Sequence, residues 1–253
     1  MCFDHDSRPP IAPIAGGALD AQEVALEAAD GTRFAAHLAR AAEPTGAGIV
    51  ILPDVRGLHE YYRELTLRFA EHGVDAIAID YFARTAGIGD RGPSFDWQPH
   101  VPQTTFETLR ADTTAAAAYL RATAGVERLF TIGFCMGGRL ALLSAGFGLD
   151  LAGVIGFYGW PVGPSRNGTP APAEVAETFA CPVLAIFGGA DEGIGPDAVA
   201  TFGRALEGAG VPHRVHTYEG APHSFFDRKA TDFADASATA WDEVLDFIRT
   251  GAL

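Results

Sequence analysis

The apolar run Leu129-Phe-Thr-Ile-Gly-Phe passes directly into Cys135-Met-Gly-Gly and then into Arg139-Leu-Ala-Leu-Leu, which makes the motif Gly133-x-Cys135-x-Gly137. This is the spacing of a nucleophile elbow, with Cys where Ser is commoner. A strand that turns into a helix within one residue strains the nucleophile's backbone, and side chains two residues to either side would collide. The same turn aims the sulfur at a helix N-terminus, whose dipole and N–H groups favour thiolate over thiol. A nucleophile needs a base, and the base needs an orienting group. Two later strand-like runs end in suitable residues. One leads into Gly188-Gly-Ala-Asp191 and the other into Glu219-Gly-Ala-Pro-His223. Glu192 is the adjacent alternative for the acid. The other histidines (His5, His37, His59, His72, His100, His213 and His216) show no metal-ligand spacing, so no metal site is expected.

Positioning these groups requires strands that end side by side. Val24, Leu26, Phe34, Ala36 and Leu38 alternate with other residues around Asp30-Gly31, a dipeptide suited to a tight turn, which predicts an opening antiparallel hairpin. Strand-like runs follow at residues 48–52, 74–79, 129–134, 153–157, 183–187 and 214–218, separated by segments with helical spacing. Strand alternating with helix predicts a mostly parallel sheet with helices on both faces. Tyr61, Leu65, Phe69 and Ala70 fall three to four apart, residues 112–124 are dense in helix formers, and Trp241, Val244, Leu245 and Ile248 share one face of a closing helix. Nucleophile, acid and His after successive strands is the chain order of the α/β-hydrolase fold. Residues 1–20 read as an N-terminal arm on one such domain. The longest irregular stretches, residues 83–103 and 159–172, are rich in Gly and Pro, and loops at strand carboxyl ends are where ligands bind.

Composition limits the partners. The chain has 253 residues, 48% of them apolar, enough for a substantial core. A formal charge of −14 repels nucleic acid and anionic membrane surfaces at long range, so the expected partner is a small molecule. Three cysteines (Cys2, Cys135, Cys181) form neither a disulfide framework nor a vicinal redox pair, and no basic stretch precedes an apolar run at the start. These features predict a soluble, cytoplasmic protein, monomeric or a small homo-oligomer.

Five short pieces resemble the dienelactone hydrolase family in their joint order and spacing: Arg63-Glu64, Asp80-Tyr-Phe-Ala-Arg84, Gly133-Phe-Cys135-Met-Gly-Gly, Gly188-Gly-Ala-Asp191 and Gly220-Ala-Pro-His223-Ser-Phe. The resemblance implies a Cys135–His223–Asp191 triad that hydrolyses enol lactones and related esters without a cofactor. It places the backbone N–H groups of Val55 and Met136 in the oxyanion hole. It also assigns thiol activation to Asp54, where the family carries a Glu one methylene longer. Family members bind a substrate carboxylate with one Arg shortly after the catalytic His and another in the loop after the Asp-x-x-Ala-Arg piece. Here Arg228 lies one residue further from His223 than that pattern, with Asp227 intervening, and Arg91 is the loop candidate. The acidic neighbour argues against an anionic substrate, and Phe95, Trp97, Pro99 and His100 suggest an aromatic wall. Substrate contacts are expected from Arg56, Arg84, Trp97, Tyr158, Phe225 and Arg228.

Thiolate is also a good leaving group, so a tetrahedral intermediate on Cys135 collapses backward unless the alcohol departs easily. Enol lactones and aryl esters therefore suit the site better than alkyl esters or amides. Glutamine amidotransferases also place Cys in such an elbow but use a later His-x-Glu, and no His of this chain has Glu two positions on. The remaining alternatives are a general aryl or short-chain carboxylesterase and a non-catalytic ligand-binding protein of the same fold.

Overall fold

Every residue of Ala47–Leu52 (β3) and Val74–Ile79 (β4) is buried, as strands covered on both faces require. They lie in an eight-stranded sheet with Ala18–Glu27 (β1), Arg33–Ala41 (β2), Arg128–Phe134 (β5), Gly153–Phe157 (β6), Val183–Gly188 (β7) and His213–Tyr218 (β8). A computed structural model describes residues 3–253, apart from the Leu19 side chain; Cys2 lies outside the described residues. The strand order is β1-β2-β4-β3-β5-β6-β7-β8. β1 and β2 pair antiparallel, β2 meets β4 antiparallel, and the rest is parallel. This is the α/β-hydrolase arrangement expected from the sequence, opening hairpin included.

Side chains alternate between two cores. Ile49, Ile51, Ala76 and Ala78 join the core under Glu60–Glu71 (α1) and the closing helix Ala234–Thr250 (α6). Val50, Leu52, Ile77 and Ile79 join the core under Phe106–Ala124 (α3). The short helix Ala83–Ala86 (α2) lies in the first long irregular stretch, Met136–Ser144 (α4) follows the candidate nucleophile, and Pro196–Gly208 (α5) precedes β8. β1 begins at Ala18, earlier than the apolar alternation from Val24. Its pairing with β2 is a backbone matter that polar residues such as Gln22 and Glu23 do not interrupt. Among the described residues no helix is long and apolar enough to cross a membrane.

Parallel register brings the functional loops to one edge of the sheet. Leu52 pairs with Gly133, Phe134 with Phe157 and Gly188 with Tyr218, so the segments leaving β3, β5, β6, β7 and β8 emerge side by side. The contact at this edge is so close that a Cβ on Gly133 would overlap the Gly137 carbonyl, and one on Gly137 would overlap the carbonyls of Leu52 and Pro53. Backbone on both sides leaves nothing to yield. We expect Gly133→Ala to lower the unfolding free energy by about 3 kcal/mol in urea titration. A loss within experimental error would show that the elbow relaxes.

Candidate active site

Cys135 sits between β5 and α4 at φ 55° and ψ −113°, and its N–H donates to the Phe157 carbonyl at 3.1 Å. Of the four non-glycine residues with positive φ among the described residues, three (Cys135, Tyr158 and Ser224) stand at the ends of β5 and β6 or beside His223, and Asp150 lies elsewhere. Strained backbone of this kind persists where the surroundings over-determine it.

The loop after β7 brings Asp191 to His223. Asp191 Oδ1 accepts from the N–H groups of Gly193 (2.8 Å) and Ile194 (3.2 Å), and Oδ2 lies 2.6 Å from His223 Nδ1. Asp191 is thereby oriented by its own turn and meets the imidazole through Nδ1. The Gly189 N–H donates to Tyr218 O and that of Ala190 to Ala221 O, which ties the acid-bearing loop to the His-bearing one. The imidazole packs against Tyr158 and Trp160, with ring centroids 4.9 and 4.8 Å away. Trp160 Nε1 in turn donates to Gly193 O at 3.0 Å. Glu192, the alternative acid, is exposed.

A cavity of about 540 Å³ opens beside these residues. Cys135, Met136 and Val55 line it, and so does Trp160, the tryptophan that touches His223. Both long irregular stretches contribute walls, the first through Trp97 and Val101 and the second through Trp160, Ser165, Arg166 and Thr169. Its charged lining residues are Arg139 and Arg166.

Arg139 and Trp160 were not legible from the sequence. Arg139 sits inside an apolar helical run, is 4% exposed, and donates to neutral oxygens of Trp160 (3.0 Å), Gly163 (2.9 Å) and Thr169 (Oγ1 3.2 Å, carbonyl 2.9 Å). Burial lowers its pKa from the ordinary arginine value. Arg166 lies over the Trp97 ring at 5.8 Å.

Several expected substrate contacts lie elsewhere because other charges claim them. Arg84 pairs with the fully buried Asp112 (2.7 Å) and with Asp30 (2.6 Å). Arg91 pairs with buried Asp80 at 2.8 Å and covers Phe95 at 4.5 Å. Arg228 is half-buried and outside the cavity lining, as are Phe95, Pro99 and His100. Phe225 is fully buried against Phe157, Tyr158 and Tyr218, and Tyr158 meets the His223 ring rather than the cavity.

Arg56 is also committed, with its side chain 1% exposed. Its Nε donates to both oxygens of Asp54 at 3.1 Å, Nη2 reaches Asp227, and Nη1 donates to Asp4 O and Ser7 Oγ, each at 3.0 Å. Asp54 additionally accepts the Arg56 N–H at 2.8 Å through Oδ1 and the Gly57 N–H at 3.1 Å through its carbonyl. Both side-chain oxygens of Asp54 therefore shape the turn that carries Val55.

The family model described as the dienelactone hydrolase family matches residues 34–251. The chain belongs to the dienelactone hydrolase family. A Methylorubrum extorquens protein provisionally named carboxymethylenebutenolidase is 31% identical over 94% of this chain and 84% of its own. A Bradyrhizobium protein provisionally named 2-oxo-3-(5-oxofuran-2-ylidene)propanoate lactonase is 28% identical over 90% of this chain and 95% of its own. Among solved structures, a Klebsiella pneumoniae protein provisionally named a dienelactone hydrolase superposes with a TM-score of 0.79 at 26% identity. The match covers 92% of this chain and all of that one.

The cluster around Arg56 makes stability depend on pH. Burial raises the Asp227 carboxyl to about 6 despite the adjacent Arg56 guanidinium, and the charge on Asp54 adds to the rise. An acid with a raised pKa holds its proton more tightly in the folded state. Its contribution is complete below about pH 4 and is lost as pH rises through about 6. Relative to the wild type, Asp227→Asn should gain about 2 kcal/mol of unfolding free energy between about pH 4 and 7 in parallel urea titrations. A pH-independent difference would mean that charging Asp227 carries no penalty.

Proposed function

We propose that the protein hydrolyses activated esters and enol lactones, a carboxymethylenebutenolidase-type reaction, through a thioester on Cys135. The observation that carries this reading is the Asp191–His223 pair, held at 2.6 Å beside a cavity whose wall includes Cys135 on a positive-φ elbow. Cys135 Sγ attacks the carbonyl carbon, and the developing oxyanion is held by the N–H groups of Val55 and Met136. The enolate or phenolate leaves with the carbonyl restored as thioester. His223 Nε2 then takes a proton from water, the hydroxide adds to the thioester, the acid is released as Cys135 returns to the thiolate that began the cycle, and the imidazolium passes its proton to the departed enolate or phenolate. Asp191 fixes the imidazole's tautomer and balances its charge when protonated. Asp54 is assigned to shaping the Val55 turn rather than to activating the thiol, because Arg56 engages both of its oxygens.

The cavity's charges favour an anionic substrate. Asp227, which by sequence position argued the other way, is consumed by Arg56, while Arg139 and Arg166 face the cavity without an acid among its lining residues. The Bradyrhizobium relative's named substrate is an unsaturated lactone carrying a carboxylate, in keeping with such a lining. The apolar lining of Phe3, Trp97, Val101, Leu109 and Trp160 favours a second reading, neutral aryl esters.

Steady-state hydrolysis of a carboxylate-bearing dienelactone and of para-nitrophenyl acetate separates the readings. Cys135→Ala should lower kcat/KM for both by about four orders of magnitude or more, and retained turnover would overturn the nucleophile assignment. Arg166→Ala should raise KM for the dienelactone about tenfold, with a smaller effect on the acetate. Equal effects on both would favour the neutral aryl ester.

A further inference from the structure

The N-terminal arm enters the cavity. Phe3, the first described residue, is only 4% exposed and lines the cavity with Val55, Met136 and Cys135. Its ring lies 4.8 Å from the guanidinium of Arg56 and meets His5 edge-on at 5.2 Å. Arg56 also holds the arm through the Asp4 carbonyl and Ser7 Oγ, Ser7 Oγ donates to Asp4 O at 2.9 Å, and Arg8 pairs with Glu64 at 2.9 Å. Arg56, which positions the arm, directly follows Val55, the candidate oxyanion donor, in the chain. The family model matches residues 34–251, so Phe3 lies outside the matched residues.

We propose that the arm is a built wall of the reaction cavity and that Phe3 sets the size of the group accepted on its oxyanion side. Burying an aromatic ring beside the exposed residues Asp4, His5 and Asp6 requires both an apolar seat and fixed backbone. The cavity lining supplies the first and Arg56 the second. A flat ring at that wall admits a small acyl group or a planar lactone edge and excludes a bulkier one, a steric discrimination of the kind apolar pockets make. In its substrate terms the inference rests on the ester and lactone reading. As a statement about access to Cys135 it does not.

The test uses the full chain. Phe3→Ala should raise the ratio of kcat/KM for para-nitrophenyl benzoate over para-nitrophenyl acetate about tenfold, and Phe3→Trp should lower it. In parallel, alkylation of Cys135 by N-benzylmaleimide and by N-methylmaleimide is followed by mass spectrometry of the Cys135 peptide. The benzyl-to-methyl rate ratio should move in the same two directions. If wild-type protein hydrolyses neither these esters nor the dienelactone while the maleimide ratio shifts as expected, the hydrolase reading fails and the arm proposal stands. If both variants keep the wild-type maleimide ratio within about twofold, the proposal is overturned whatever the esters show. Thermal unfolding of each variant establishes that it is folded, and because the two substitutions must act in opposite directions, general loosening of the fold cannot mimic the result.

Discussion

The close approach of main chain to main chain at the carboxyl end of β5 is the constraint on which the rest of the site depends. Gly133 and Gly137 let the first turn of α4 fold back onto its own strand and onto the Leu52 and Pro53 carbonyls at the end of β3. The Cys135 segment and the Val55 turn are therefore referenced to each other through backbone, with no flexible side chain between them. The other half of the site follows the same rule, since main-chain bonds from Gly189 to Tyr218 and from Ala190 to Ala221 join the loops bearing Asp191 and His223. Such a framework costs no reorganisation as charge develops, which is the condition for electrostatic stabilisation of a transition state.

Around this frame the arginines divide by what satisfies them. Arg56, Arg84 and Arg91 each meet a buried carboxylate; Arg56 and Arg84 thereby join segments remote in the chain, and Arg91 closes its own loop back onto Asp80. A buried carboxylate without such a partner would be costly, so the pairing is enforced by burial. Arg139 differs because its bonds go to carbonyls and a hydroxyl, which fix the loop from Trp160 to Thr169 against α4 without cancelling the charge.

The strands, the opening hairpin and the order of Cys135, Asp191 and His223 could be read from the sequence because each rests on local pattern: alternation, helical spacing, and glycines where a turn leaves no room. The structure places Asp191 and His223 in contact and puts Cys135, Val55, Met136 and Trp97 on one cavity. Substrate contacts were read less well. Arg84 and Arg56 stand near recognisable motifs, yet the direction of an arginine is set by which carboxylates are buried nearby, and Asp112 and Asp227 come from other parts of the chain. Arg139 and Phe3 escaped for the converse reason. One is hidden in an apolar helical run and the other in an arm with no periodicity, and only tertiary packing turns them toward the cavity.

The buried guanidinium of Arg139, hydrogen-bonded only to neutral oxygens, inside a chain of net charge −14 sets two fields of opposite sign at different ranges. An anion approaching from solution first meets repulsion from the surface as a whole, which salt screens over a Debye length of about 8 Å at physiological ionic strength. Inside the cavity it meets a buried guanidinium that salt screens far less. Added salt therefore speeds the encounter more than it weakens the complex, the reverse of the behaviour of an enzyme that steers its substrate with surface charge.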